Sequence, residues 1–276
     1  MKVHIITASH NRKNITSQFI ESLKQQSIYD SIHLILVDDG STDGTSIMVE
    51  DEMPTKATIL KGNGNLWWGG AMQMAYKWIM SNHIPSEDIV VFSNDDNTYE
   101  PSYIETGVNI ILEHPDTLVV GNGFCSKTKE RENGVLMFNS KSGEIELLDV
   151  TAEGNIAATQ SLFLKVKDLK RIGGFHPILL PHYLSDYEFT FRASKKGLKI
   201  KAFDNLKFYF NTSSTGAKEH SKLSIKILFS KRCPYNPIYR FIFIFLTTPL
   251  LYLPSRVIRQ FRNYYKLLPK VREEVI

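Results

Sequence analysis

Asn94-Asp95-Asp96-Asn97 sets two adjacent carboxylates between two amides, directly after the apolar run Ile89-Val90-Val91-Phe92. Such a β-branched run predicts a strand buried on both faces. Two carboxylates at a buried strand end repel one another and lose hydration, so the pattern calls for a compensating cation. The oxygen-rich set suits a hard divalent ion, Mg²⁺ or Mn²⁺, above all one also held by the phosphates of a nucleotide. A solvated turn is the structural alternative.

A second carboxylate with chemical potential is Asp186, within His182-Tyr183-Leu184-Ser185-Asp186-Tyr187-Glu188-Phe189-Thr190-Phe191-Arg192. Ser185 and Glu188 have capping-box spacing, which predicts a helix from here to Lys196-Gly197. The helix dipole would stabilise Asp186 in the first turn. That is a complete structural role, and it also describes a carboxylate kept ionised at a cleft edge to accept a proton. Asp38-Asp39-Gly40-Ser41 is a third acidic turn. A turn with a cap at Ser41 or Thr42 explains one Asp, and two less well. Lys61-Gly62-Asn63-Gly64-Asn65-Leu66-Trp67-Trp68-Gly69-Gly70-Ala71 reads as a glycine-rich loop in which the two glycines around Asn63, Gly62 and Gly64, allow close backbone approach to a ligand. Consecutive tryptophans in an extended pair point in opposite directions, so one of Trp67 and Trp68 can enter the core while the other stacks on a sugar; both packing under the next helix is the alternative. Tyr183, Glu188 and Arg192 complete this candidate sugar and acceptor set.

The elements that must position these groups follow in order. Val3–Ala8 reads as a buried strand, Ser9-His10-Asn11-Arg12 as a polar loop, Asn14–Gln26 as an amphipathic helix and Ile32–Val37 as a second strand. Strand, loop, helix, strand is the βαβ pattern of a parallel sheet, and ligands bind such sheets at the carboxyl ends of the strands. Thr7, Ser9, Asn11 and Asp39 stand there. The loop after the first strand has no glycine, and no Gly-Lys-Ser/Thr triplet occurs, which excludes a dinucleotide fingerprint and a P-loop. Helices are predicted over 71–81, 103–113 and 166–171, and strands over 58–60, 117–120, 160–164 and 198–210. Turn signals at Asn133-Gly134 and Ser142-Gly143 predict hairpins and a shift to a mixed sheet over 123–150.

Charge divides the 276 residues unevenly. Residues 222–276 hold eleven Lys/Arg against Glu273 and Glu274, a net of +9, while residues 1–221 carry −5. An acidic body with a basic, aromatic tail suggests a catalytic domain (1–221) and a docking segment (222–276). The apolar run Phe241–Leu253 has 13 residues and a proline, short of the roughly 20 that span a bilayer. It reads as an interfacial segment on an anionic membrane surface, or as a helix covering this chain or a second subunit as a homodimer contact. Two cysteines and an amino terminus that runs straight into a strand predict a reducing compartment and no signal peptide, so the Asn14 and Asn211 sequons carry little weight.

Thr7-Ala8-Ser9-His10-Asn11-Arg12, Val37-Asp38-Asp39-Gly40-Ser41, Gly64-Asn65 with the Trp pair, Asn94-Asp95-Asp96, Gly174-Phe175 and Ser185-Asp186-Tyr187-Glu188 occur in one order over about residues 1–216. Together they resemble the family 2 glycosyltransferases of GT-A fold, the inverting, rhamnosyltransferase-like enzymes of bacterial surface-polysaccharide assembly. The resemblance implies an α/β fold with a mostly parallel central sheet, a nucleotide-binding half (1–122) and an acceptor half (123–221). It implies a nucleoside-diphosphate sugar donor, held by Thr7, Ala8, Ser9, Asn11, Asp39, Gly64, Asn65, Asn94 and Asp95, and Mg²⁺ or Mn²⁺ on Asp96. Asp186 becomes the catalytic base, and Asn211 stands where many members place a metal-binding His. Asn94 replaces the usual acid. The acceptor is a glycan or lipid-linked, the enzyme cytoplasmic and peripheral on the inner face of the plasma membrane, with no nucleic acid partner. Because Asn94 and Asn211 depart from the pattern, a non-catalytic nucleotide-sugar or glycan-binding subunit is the alternative. A nucleotidyltransferase would be expected to use a glycine-rich, basic first loop, and this one lacks glycine.

Overall fold

A computed structural model describes residues 1–211, 225–231 and 233–272. The expected domain boundary at 221/222, the polar loop beyond Asn211 and the two closing glutamates lie outside the described residues. The first half alternates β1 (Val3–Ser9), α1 (Lys13–Lys24), β2 (Ile32–Asp38), α2 (Thr45–Glu52), β3 (Ala57–Lys61) and α3 (Trp67–Ser81). Then come β4 (Ile89–Ser93), the short β5 (Asn97–Thr98), α4 (Tyr103–Glu113) and β6 (Thr117–Cys125). Small strands follow: β7 (Arg131–Asn133), β8 (Val135–Phe138), β9 (Ile145–Leu147), β10 (Glu153–Gly154) and β11 (Ile156–Ala157). β12 (Ser161–Lys165), α5 (Val166–Ile172), α6 (Ser185–Lys195) and β13 (Lys199–Phe210) complete the body, and α7 (Ile225–Leu228), α8 (Pro237–Thr247) and α9 (Leu253–Arg272) follow.

The main sheet runs β10-β13-β6-β12-β4-β1-β2-β3. β4, β1, β2 and β3 are mutually parallel, with Ser9 opposite Asp38, so the loops after β1 and β2 open at the same edge. β12 inserts antiparallel between β4 and β6 and makes the sheet mixed. Strand alternation divides the apolar residues between two cores. Ile5, Leu34, Leu36 and Val91 face α1, α2 and α4, while Ile6, Ile35, Val37 and Phe92 face α3, α5 and α6. A second sheet, β11-β8-β9, is joined to α6 and α8 by Phe138, Ile156, Leu180, Phe191 and Phe243.

Two local expectations are corrected. α3 begins at Trp67 instead of Ala71, so Gly69 and Gly70 lie inside the helix. Gly69 is needed there because a Cβ would meet the Leu180 carbonyl at 2.5 Å. The apolar run 241–253 is no single segment: Thr248 and Pro249 are extended and divide it between α8 and α9. α8 turns Phe243, Ile244 and Thr247 onto the body. No helix among the described residues is long and apolar enough to cross a membrane.

Candidate active site

The carboxyl ends of β1 and β2 are tied together before any ligand is considered. Asp38 accepts from Ser41 N at 2.9 Å and from the Ser46 hydroxyl. Burial works to raise its pKa, but these hydrogen bonds outweigh it and the carboxyl titrates below its usual range. Asp39 holds the glycine-rich loop: Oδ1 accepts from Gly64 N at 2.8 Å, and Oδ2 from Leu66 N at 2.8 Å and Trp67 N at 3.2 Å. A Cβ on Gly62 would approach Asp39 Oδ1 to 2.6 Å, so that glycine permits the clasp. The two acids therefore anchor two different loops. The expected cap at Ser41 or Thr42 is not formed; α2 starts at Thr45, whose N–H donates to Asp43 Oδ1 at 3.0 Å. Asn11, left-handed at φ 52°, accepts from Thr42 N at 2.8 Å and locks the first loop to the second. Ala8 is half-buried, and Ser9 shares a 2.9 Å hydrogen bond with Thr16. Thr7 is fully buried at the same strand end, and its hydroxyl has no hydrogen-bond partner among the described residues.

Asp95 and Asp96 are both buried, and Arg12 places a cation between them. One guanidinium nitrogen lies 3.4 Å from Asp95 Oδ1 and 3.1 Å from Asp96 Oδ2. Thr16 also donates to Asp95 at 3.1 Å. Burial raises the Asp95 carboxyl to about 6, against the opposing pull of Arg12 and with a further push from Asp96. Neighbouring Asn97 is structural, donating to Gln160 O at 2.7 Å and Tyr99 Oη at 3.0 Å, and Asn94 ties β4 to the start of β12 through its N–H to Gln160 O at 3.2 Å. Asp96 and Asn211 line one cavity of about 240 Å³, together with Thr98 and Lys127. A carboxylate and an amide oxygen are hard donors that fit Mg²⁺ or Mn²⁺ when phosphate oxygens complete the shell. Among the described residues no three His, Cys, Asp or Glu stand together to hold an ion, so the fit depends on oxygens brought by a ligand.

Asp186 sits in the first turn of α6. The expected capping box does not form. Leu184 is the N-cap, left-handed at φ 69°, and Ser185 Oγ donates to His182 O at 2.6 Å. Glu188 turns instead to Arg192, with contacts of 2.8 and 2.9 Å, and Arg192 also donates to Ile172 O and Gly174 O. Both side chains are taken up in clasping α6 to the loop before it. The Asp186 carboxylate accepts the Tyr187 N–H at 2.9 Å and the Thr159 N–H, while burial raises it to about 6. Trp68 donates to Thr159 Oγ1 at 2.9 Å and packs on the core, so it buttresses the segment that contacts Asp186. Trp67 is left-handed at φ 58° and packs against His182 at 5.5 Å, which in turn contacts Tyr183 at 4.4 Å. Non-glycine residues at positive φ are strained. Here Asn11 and Leu184 occupy loops, and Trp67 the first position of α3, each beside candidate site residues.

The structure thus brings Asp39 to Gly64, Asp95 and Asp96 to Arg12, Asp96 to Asn211, and Trp68 to the neighbourhood of Asp186. It adds residues without a local signal of their own: Thr16, Thr159, His182, and Lys231, whose Nζ donates to Asn65 Oδ1 at 3.2 Å across 166 positions of chain. Arg12 could have been found from charge, as the one basic residue in the first loop motif.

The comparisons with known proteins bear on the fold and the family. No curated protein sequence matches. Among solved structures, S. aureus TarS superimposes with a TM-score of 0.58 at 21% identity, over 78% of this chain and 37% of TarS. TarS residues 1–349 in complex with UDP give 0.58 at 17% identity, covering 77% and 61%. GalNAc-T7 with UDP, GalNAc and Mn²⁺ gives 0.62 at 9% identity, covering 76% and 44%. The chain spans less than two thirds of each of these, and at such identities the likeness is one of fold, the GT-A arrangement of a mixed sheet between helices. The model for glycosyl transferase family 2 matches residues 4–173, well over half of the chain, and the chain belongs to that family.

Proposed function

We propose that this protein is an inverting glycosyltransferase that moves a sugar from a nucleoside-diphosphate donor to a glycan or lipid-linked acceptor in bacterial surface-polysaccharide assembly. The observation that carries the reading is Asp186: a carboxylate with a raised pKa, oriented by two backbone amides, in the turn that follows His182 and Tyr183, of which His182 packs on Trp67. The donor nucleotide lies along the ends of β1, β2 and β4, near Thr7, Asn11, Gly64 and Asp95. Asp96 and Asn211 would hold Mg²⁺ or Mn²⁺. A bound ion there would supply Lewis-acid neutralisation of the charge that grows on the leaving diphosphate. Asp186 takes the proton of the acceptor hydroxyl, the oxygen attacks C1 of the sugar, and the diphosphate departs with the C1–O electron pair from the opposite face. General-base assistance of this kind contributes about 10²–10⁴-fold.

Membrane association is part of the proposal. α8, α9 and the turn between them direct Phe245, Leu250, Leu251, Phe261 and Tyr265 outward, with Leu250 85% and Leu251 82% exposed. Exposed apolar side chains beside Arg262 and Lys266 suit an anionic leaflet.

The test is a thermal-shift series of UDP-, dTDP- and GDP-sugars with and without Mn²⁺, followed by transfer assays. One nucleotide should stabilise the wild type with the metal, by roughly 2.7 kcal/mol at a hundredfold excess over Kd. Asp96→Asn should abolish the metal dependence, and Asp186→Asn should bind donor normally while transfer falls by about 10²-fold or more. Normal turnover by Asp186→Asn would remove the base assignment. Donor binding by the wild type without transfer to any acceptor would favour a binding subunit.

A further inference from the structure

The C-terminal helices close a second pocket, on a different wall from the Asp96 cavity. It measures about 120 Å³, against roughly 10–15 Å³ for a single water, and Arg240, Arg256, Arg259, Phe138, Gly143 and Leu184 are among its lining residues. Two of the arginines have protein partners. Arg259 donates to Ser142 O and to Glu144 Oε1, each at 3.0 Å, and Arg240 Nε donates to Pro234 O at 2.9 Å. Arg256 differs. It is only 8% exposed, its guanidinium lies over the Phe138 ring at 5.6 Å, and its buried Nε finds no acceptor among the described residues. No carboxylate among them pairs with it. Burial, and then the charge of Arg259, lower its pKa, so the protein itself disfavours the cation it has placed there. Gly143, at φ +83°, makes the room: a Cβ at that position would overlap Arg256 Nη1.

A buried guanidinium without an anion is costly, and Arg is the side chain whose planar fork matches phosphate oxygens in pairs. Two further guanidiniums at the same pocket, offset among the described residues by Glu144, leave an excess of positive charge. Its wall includes Leu184, two positions before Asp186, and shares no residue with the cavity that holds Asp96 and Asn211. The anion therefore belongs to the acceptor side, not to the donor diphosphate.

We propose that the Arg240, Arg256 and Arg259 pocket binds a phosphate group of a phosphorylated acceptor, placing the acceptor beside the first turn of α6; the word acceptor rests on the glycosyl-transfer reading, the phosphate site does not. The phosphate is carried either by a soluble phosphodiester chain or by a lipid-linked diphosphate.

The test uses the full chain and inorganic phosphate as probe, followed by calorimetry and thermal shift at constant ionic strength. Wild type should bind phosphate, and Arg256→Gln should bind it about tenfold or more weakly, as expected for loss of a charge-assisted contact. Arg256→Gln should keep the donor-induced thermal shift, and should raise KM for a phosphorylated acceptor more than for an unphosphorylated one while kcat is held. If Arg256→Gln does not fold, Arg259→Gln, at an exposed position, should weaken phosphate in the same sense. Displacement of phosphate by glycerol 3-phosphate assigns the soluble source, and displacement only by phosphatidylglycerol vesicles assigns the lipid source. Equal phosphate affinity in wild type and both variants overturns the site, whatever the transfer assays give. Phosphate binding that depends on Arg256, in a protein that transfers nothing, supports the site and overturns the catalytic reading instead.

Discussion

Asp186 carries opposite consequences for stability and for catalysis. Its carboxyl is raised to about 6 by burial, above the usual value of 3.8. The folded protein therefore keeps a proton that the unfolded chain releases between about pH 4 and 6. Stability from this group is present below pH 4 and is lost as pH rises through 6. Asp186→Asn should accordingly raise Tm at pH 7.5, with the gain shrinking to nothing near pH 4. Activity moves the other way, since a base must be ionised: kcat/KM should fall about tenfold per unit below pH 6. The residual rate of Asp186→Asn should lack that limb, and an unchanged limb would assign it to another group, with Asp95 the first candidate. The types of these residues were legible in the chain, because acids after a buried strand and in a first helical turn are conspicuous. Their partners were not. The cation expected for Asp95 and Asp96 includes Arg12, 84 positions from Asp96, and no local pattern encodes that distance. Likewise Glu188 and Arg192 looked like substrate contacts from their position beside Asp186, and only the fold pairs them with each other and turns Arg192 toward the Ile172 and Gly174 carbonyls.

At the scale of elements, long periodic segments were readable and short ones were not. β1, β2, β4, α1 and α4 fall within a residue or two of expectation because alternation or helical spacing dominates them. α2 was missed: only Met48 and Val49 of its eight residues bring large apolar side chains inward, and its end is acidic. The start of α3 was hidden by Gly69 and Gly70, which read as loop residues although tertiary contact with the Leu180 and Pro181 carbonyls demands them. α8 shows the same dependence on tertiary partners. Phe243 contacts Phe138 at 5.5 Å and fills the junction between α8, α6 and the small sheet. Phe243→Ala should cost about 3–5 kcal/mol, with amide exchange accelerated first in α8 and in β8. Uniform loss of protection across β1–β4 instead would mean that the helix is not a separable layer.

For the whole molecule, the sequence separated an acidic body from a basic tail, and in the structure that tail packs directly on the body through α8 and Arg259. What charge alone could not tell is which apolar residues turn inward. Phe243 and Ile244 do, while Leu250 and Leu251 do not. Because the outward pair touches little, Leu250→Asp with Leu251→Asp should leave Tm nearly unchanged and release the protein from anionic vesicles. Flotation with phosphatidylglycerol vesicles at rising salt checks this, each basic residue near the surface being worth about 1 kcal/mol. Retained vesicle binding by the double variant, or its conversion from dimer to monomer, would assign that face to a protein partner.

The antiparallel strand between β4 and β6 has a bearing on synthesis. β1 to β4 can pair as soon as residue 93 has left the ribosome, but the partner that covers the far edge of β4 is β12, about seventy residues later. At about 5–20 residues per second the nascent chain exposes that apolar edge for roughly 4–14 seconds. The end of β4, where Asn94 and Asn97 wait for Gln160, is thus assembled late, and an aggregation-prone interval falls just before the parallel strands gain their antiparallel neighbour.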